Sequence, residues 1–147
     1  GMGGRLLMNI LEQEPAKTES FKELILQPQS ELKLFRGFLR EKGYSILSED
    51  MILEDGKFYP MMKVCPNKAE NASEETMEVV EMQDLLGPDL LKRQNPVLLS
   101  YIRQEIQVKE GILEGLKKQE QKEKLLLRKQ EIEKELVLLK NAVEMWY

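Results

Sequence analysis

The stretch Glu23-Leu24-Ile25-Leu26-Gln27-Pro28 limits the possible folds of this chain more than any other. Three branched apolar residues precede one polar residue and a proline. That pattern reads as a short strand at Leu24–Gln27, buried on both faces as in parallel sheets. Proline has no N–H for the ladder, so the strand ends there. Ligands of open α/β sheets bind beyond the carboxyl ends of the strands. Gln27 and Pro28 therefore mark a candidate binding rim.

The rest of the chain can be placed around this strand. Gly1-Met2-Gly3-Gly4 reads either as a residual glycine before an initiator methionine or as a glycine-rich turn feeding a helix. Leu6, Leu7, Ile10 and Leu11 give that helix one apolar face, from about Gly3 to Glu14, and Pro15 stops it. After the strand, Ser30 is a plausible N-cap. Leu32, Phe35, Phe38 and Leu39 recur at helical spacing up to Gly43. Lys33, Arg36 and Arg40 lie along this helix at turn spacing, as a solvated basic face or as phosphate contacts. Two apolar runs then flank Asp55-Gly56, the strongest short hairpin signal. Ser48-Glu49-Asp50 suggests a bulge in the first arm. Pro60 suggests that the regular part of the second arm starts only at Met61.

Residues 67–96 read as a linker with a short helix at Met77–Leu86, broken by Leu86-Gly87-Pro88. Asn95-Pro96 is a helix start. Beyond it Leu99, Ile102, Ile106, Leu113 and Leu116 follow one heptad, interrupted by Lys109. Leu125, Ile132, Leu136, Leu139, Val143 and Trp146 follow another, interrupted by Lys129. Lys117–Lys124 between them has nothing to bury. Residues 97–147 are thus expected to fold back as an antiparallel coiled-coil hairpin; the alternative is one long helix that dimerises.

Composition narrows the chemistry. The chain has 147 residues, no histidine and one cysteine, Cys65. Disulfide frameworks, imidazole-based triads and histidine-ligated zinc are excluded. Cys65 has no base to activate it and reads as a core thiol. The net charge of −4 does not argue for nucleic acid in bulk, so any basic surface must be local. No run of 18 apolar residues and no signal peptide is visible. A reducing cytoplasm is the expected compartment.

The order helix, strand, helix, strand, hairpin, strand resembles the last half of the class I methyltransferase fold. Gly1-Met2-Gly3-Gly4, Leu24-Ile25-Leu26-Gln27-Pro28, Glu54-Asp55-Gly56-Lys57-Phe58-Tyr59, Leu86-Gly87-Pro88 and Asn95-Pro96 specifically resemble the bacterial tRNA (adenine-22-N1)-methyltransferases. Pro60 departs from that pattern, where an acidic residue usually follows Phe-Tyr.

The resemblance implies an α/β chain in three parts. Residues 1–66 would be the C-terminal half of a class I, Rossmann-like methyltransferase sheet, residues 67–96 a linker with a short helix, and residues 97–147 the antiparallel coiled-coil hairpin. It implies methyl transfer from S-adenosylmethionine to a ring nitrogen of adenine in tRNA. Gly1, Met2, Gly3, Gly4, Gln27 and Pro28 would line the cofactor and substrate pocket, and Lys33, Arg36 and Arg40 would be candidate tRNA contacts. The family's glycine-rich cofactor motif and ribose-binding acidic residue have no counterpart here. The chain is therefore expected to be inactive alone, and to self-associate through an open sheet edge or the coiled coil. A non-catalytic module binding protein or RNA through its coiled coil is the competing expectation.

Overall fold

The structure is a computed structural model that describes residues 3–13, 23–66, 75–119 and 123–147. Its elements are α1 (Gly4–Gln13), β1 (Leu24–Leu26), α2 (Leu32–Glu41), β2 (Ser45–Glu54), β3 (Lys57–Cys65), α3 (Met77–Leu86), α4 (Pro88–Lys92), α5 (Pro96–Lys117) and α6 (Glu123–Val143). A 3₁₀ turn at Glu144–Trp146 follows α6.

Among the described residues the strands form one sheet in the order β1-β3-β2, with both pairings antiparallel. Asp55 and Gly56 have φ of 49° and 77°, the two positive values that a two-residue hairpin turn requires. The turn sends β3 back between its partner and β1. There Leu24 faces Val64, and Leu26 faces Met62. The second arm of the hairpin thus lies antiparallel against β1.

Two expectations about these strands are corrected. β1 is not buried on both faces: Ile25 is 71% exposed. Leu24 and Leu26 pack with Met62 and Val64 on Leu11 of α1 and on Phe35 and Leu39 of α2. Both helices cover one side of the sheet, and alternation along the strand turns Ile25 to the other. β3 is regular from Lys57, not from Met61, and Pro60 pairs with Met51 inside it. The ladder with β1 spans Met62 to Val64, so proline's missing N–H interrupts no bond there. The bulge in β2 leaves Leu47 as the extra residue, one position ahead of Ser48.

Ser30 does not cap α2 either. Glu31 occupies that position with φ 51° and no side-chain cap, while Ser30 bonds elsewhere. Asn95 does cap α5, accepting from Val97 N–H at 2.8 Å and Leu98 N–H at 3.1 Å.

A second core joins the sheet to the helices. Met51 of β2, Leu86 of α3, Leu90 and Leu91 of α4, Leu98 and Ile102 of α5, and Leu139 and Ala142 of α6 are buried together. Residues 77–92 therefore act as a packed wall rather than a spacer. α4 has five residues, too few turns to show a helical period in sequence. α5 and α6 run antiparallel along each other, with Lys109 3.2 Å from Glu135 and Lys140 3.0 Å from Glu110. Burial works against the charge of Lys109, but Glu105 and Glu135 outweigh it and hold its pKa above the ordinary value. The lysine that interrupts the heptad is thus a polar peg between the helices. Among the described residues no helix is long and apolar enough to cross a membrane.

Tyr101 of α5 packs edge-on to Phe58, ring centres 5.3 Å apart. Burial, with Glu105 adding to it, pushes its hydroxyl from 10.0 up to about 12. Between those values the folded chain keeps a proton that the unfolded chain loses, so stability falls as pH rises through that window. Tyr101→Phe flattens this fall in thermal melts taken from pH 9 to pH 12. A profile as steep as the parent's contradicts the assignment.

Candidate functional site

The site is built at the carboxyl end of β1. Gly4 is buried, and its N–H donates to the Ser30 carbonyl at 3.1 Å and to the Ser30 hydroxyl at 3.3 Å. A Cβ on Gly4 would stand 2.5 Å from that carbonyl oxygen, and one on Gly3 would stand 2.9 Å from the hydroxyl. Only bare backbone allows the start of α1 to touch the loop after β1. Gly3 and Gly4 are thereby brought beside the segment that carries Gln27, exposed, and Pro28, buried. Gly1 and Met2 lie outside the described residues. Gly4→Ala forces the loop after β1 to move and costs about 1–3 kcal/mol, read as a lower melting temperature. An unchanged melt contradicts the contact.

Because β3 runs antiparallel to β1, the hairpin tip lies at this same end of the sheet. A cleft there is lined by Gln27, Gln29, Ile52, Glu54, Tyr59 and Met61. A second cleft shares Gln29 and Tyr59 with it and extends past Lys57 to Tyr101 and Gln104 of α5. Gln29 and Gln104 were not singled out by sequence reasoning, and Lys57 entered it only as part of the hairpin motif. The only signal for Gln29 is its place two residues beyond Gln27, and α5 reaches the cleft through tertiary packing alone.

The expected basic face is corrected. Arg36 is 2% exposed. Its Nε donates to Glu49 at 3.0 Å, and its Nη1 donates to the carbonyls of Asp84 at 3.2 Å and Leu85 at 3.1 Å. Arg40 reaches Asp84 at 2.6 Å, and that hydrogen bond raises its pKa. The two arginines do share a face, but it is turned onto α3. An i, i+4 pair looks the same in sequence whether it meets solvent or another helix. Lys33 is half-buried beside Leu34 and Phe38, apart from that pair.

The described residues do not fit S-adenosylmethionine by themselves. The backbone at Gly4 is closed by Ser30. Glu49, the one buried carboxylate among the described residues, is engaged by Arg36 and by the N–H of Asp89 at 3.0 Å. Neither is free to hold a nucleoside.

A family model described as "tRNA (adenine(22)-N(1))-methyltransferase" matches residues 1–141. The chain belongs to this family. The tRNA (adenine(22)-N(1))-methyltransferase of Bacillus subtilis (strain 168) is 30% identical over 144 residues, 98% of this chain and 60% of that protein. This chain thus spans about three fifths of that relative's length. A Streptococcus agalactiae protein described as of the NADB-Rossmann superfamily superposes with a TM-score of 0.80 at 22% identity, over 97% of this chain and 57% of that one. This chain therefore has the α/β fold of the matching part of that protein, its described strands forming a small antiparallel sheet. A Streptococcus pneumoniae protein, described as a putative tRNA (m1A22) methyltransferase in complex with S-adenosyl-L-methionine, superposes with a TM-score of 0.76 at 26% identity over the same shares. The motifs that carried the resemblance all fall within the matched residues.

Proposed function

We propose that this chain supplies the C-terminal portion of an S-adenosylmethionine-dependent enzyme that methylates N1 of adenine 22 in tRNA. The observation that carries this reading is the insertion of β3 antiparallel between β1 and β2, within the family match over residues 1–141. The cofactor is held by the part of the family's length that this chain does not span, and the chain alone transfers no methyl group. Bound there, the sulfonium supplies an activated methyl, so the remaining task is to hold the adenine nitrogen in line. Gly3 and Gln27 form the near wall of the substrate pocket, with Gly4 and Pro28 packed behind them and Gly1 and Met2 preceding them. Lys33 and Arg40 are the remaining candidates for phosphate contact on α2. The α5–α6 pair, as an antiparallel coiled-coil hairpin, holds the tRNA.

The complete gene product carrying this chain is expected to transfer a labelled methyl group to a tRNA transcript with adenine at position 22. A transcript with guanine there is expected to accept none. Equal labelling of both transcripts, or of neither, contradicts the reading.

The free edge of β1 has a consequence for this chain on its own. Among the described residues no strand pairs with the outer side of β1, and this edge with the exposed Ile25 invites a second copy. Size-exclusion chromatography with light scattering is expected to give a dimer or larger species. A monomer at high concentration contradicts edge pairing.

A further inference from the structure

The sheet meets the helical segment at two buried opposite charges. Arg36 comes from α2 and Glu49 from β2; they are 2% and 3% exposed. Each charge also terminates a helix. The guanidinium binds two carbonyls in the last turn of α3, where the dipole favours a cation. The carboxylate accepts from Asp89 N–H in the first turn of α4, where it favours an anion. The Asp89 carboxylate in turn accepts from Glu49 N–H at 2.8 Å, and Arg93 donates to the Glu49 carbonyl. Gly87 joins the two helices at φ 99°, and a Cβ there would lie 2.7 Å from the Glu49 carboxylate. Side chains of the sheet layer thus satisfy both ends of the α3–α4 corner.

We propose that the Arg36–Glu49 pair sets the orientation of the α5–α6 arm relative to the sheet, and through it the seating of tRNA. This inference rests on the reading of the chain as part of a tRNA methyltransferase. The physical ground is selectivity of geometry. Apolar residues of equal volume would serve stability as well as a buried ion pair does. A guanidinium that bonds Glu49 through Nε and the two helix-end carbonyls through Nη1 makes all three bonds in one arrangement only, because its planar fork directs them along fixed lines; its Nη2 lies 3.0 Å from Glu49 as an ion contact without a hydrogen bond. The lever is long: α5 begins four residues beyond the end of α4 and runs for 22 residues. At 1.5 Å per residue it is about 33 Å long, so about 10° of rotation at its root moves its tip by about 6 Å. That is about the spacing between neighbouring phosphates on one strand, enough to misplace a bound nucleic acid. Arg36 and Glu49 act here as positioning residues.

The test uses the complete gene product with Cys65→Ser and spin labels on cysteines introduced at Lys63 of β3 and Lys124 of α6. Glu49→Gln keeps shape and removes charge; Arg36→Lys keeps charge and removes the fork. Both are expected to broaden the label-to-label distance distribution about twofold. Both should also raise KM for tRNA about tenfold, with kcat within about twofold and S-adenosylmethionine affinity unchanged. Asp89→Asn lies outside the buried pair and gives a smaller broadening in the same direction, which keeps the test readable where Glu49→Gln does not fold. Arg40→Ala, which breaks an exposed pair, leaves the distribution unchanged. An unbroadened distribution or an unchanged KM for tRNA in folded variants overturns the inference. Where the parent product methylates no tRNA at all, the functional reading fails, and the distance distribution alone decides whether the pair orients the arm.

Discussion

Arg36→Ala is expected to lower folding stability by about 3–5 kcal/mol, because breaking a buried pair leaves an uncompensated charge. Glu49 would keep its carboxylate at 3% exposure with its cation gone, and the carbonyls of Asp84 and Leu85 would lose their donor. Urea denaturation reads this as a lower midpoint, and a loss below about 1 kcal/mol contradicts the account. Arg40→Ala is the contrasting case, since its exposed pair with Asp84 contributes at most about 1 kcal/mol. The contrast bears on function. A tRNA-binding defect in Arg36→Ala would report a disrupted fold, not a lost phosphate contact. Arg40→Ala and Lys33→Ala are the variants that address phosphate.

Gly87→Ala is expected to cost about 3 kcal/mol from two sources, a backbone region that L-residues avoid and overpacking of a filled site. At φ 99° an alanine is strained whatever the space, and its Cβ would stand 2.7 and 2.8 Å from the two carboxylate oxygens of Glu49 and 3.0 Å from Arg36 Nη2. The carboxylate cannot step back without releasing Asp89 N–H or Arg36. Gly56→Ala is the control. Its φ is 77°, but nothing lies within 4 Å of its Cβ position, so it carries the backbone cost alone. Equal melting temperatures for the two variants would show that the Glu49 contact adds nothing at Gly87.

Where local rules act, the chain is readable from its sequence. Asp55-Gly56 specifies its hairpin because two adjacent positive φ values are costly for most other pairs. Asn95-Pro96 specifies the start of α5, and Gly43 lies just past the end of α2 with φ 84°. The end of β1 before Pro28 was also legible, although the meeting of Gly4 with the loop beyond it through Ser30 was not. What sequence hides is which side of an element finds a partner. Ile25 belongs to an unbroken apolar run yet faces outward, because α1 and α2 both chose the other side of the sheet. Arg36 belongs to a basic face yet is buried, because its partner Glu49 is thirteen residues away on a strand. Glu49 itself sits among Ser48 and Asp50, in what reads as a polar bend. Neither residue announces a buried charge until the α3–α4 corner closes over both.

The most direct test of the account replaces the corresponding portion of the Bacillus subtilis relative with residues 1–147 of this chain and asks what the hybrid does in a strain lacking the native protein. The measurement is the occupancy of 1-methyladenosine at position 22 of cellular tRNA. The account predicts that the modification returns at that position and at no other. A folded, cofactor-binding hybrid that leaves adenine 22 unmodified would contradict it.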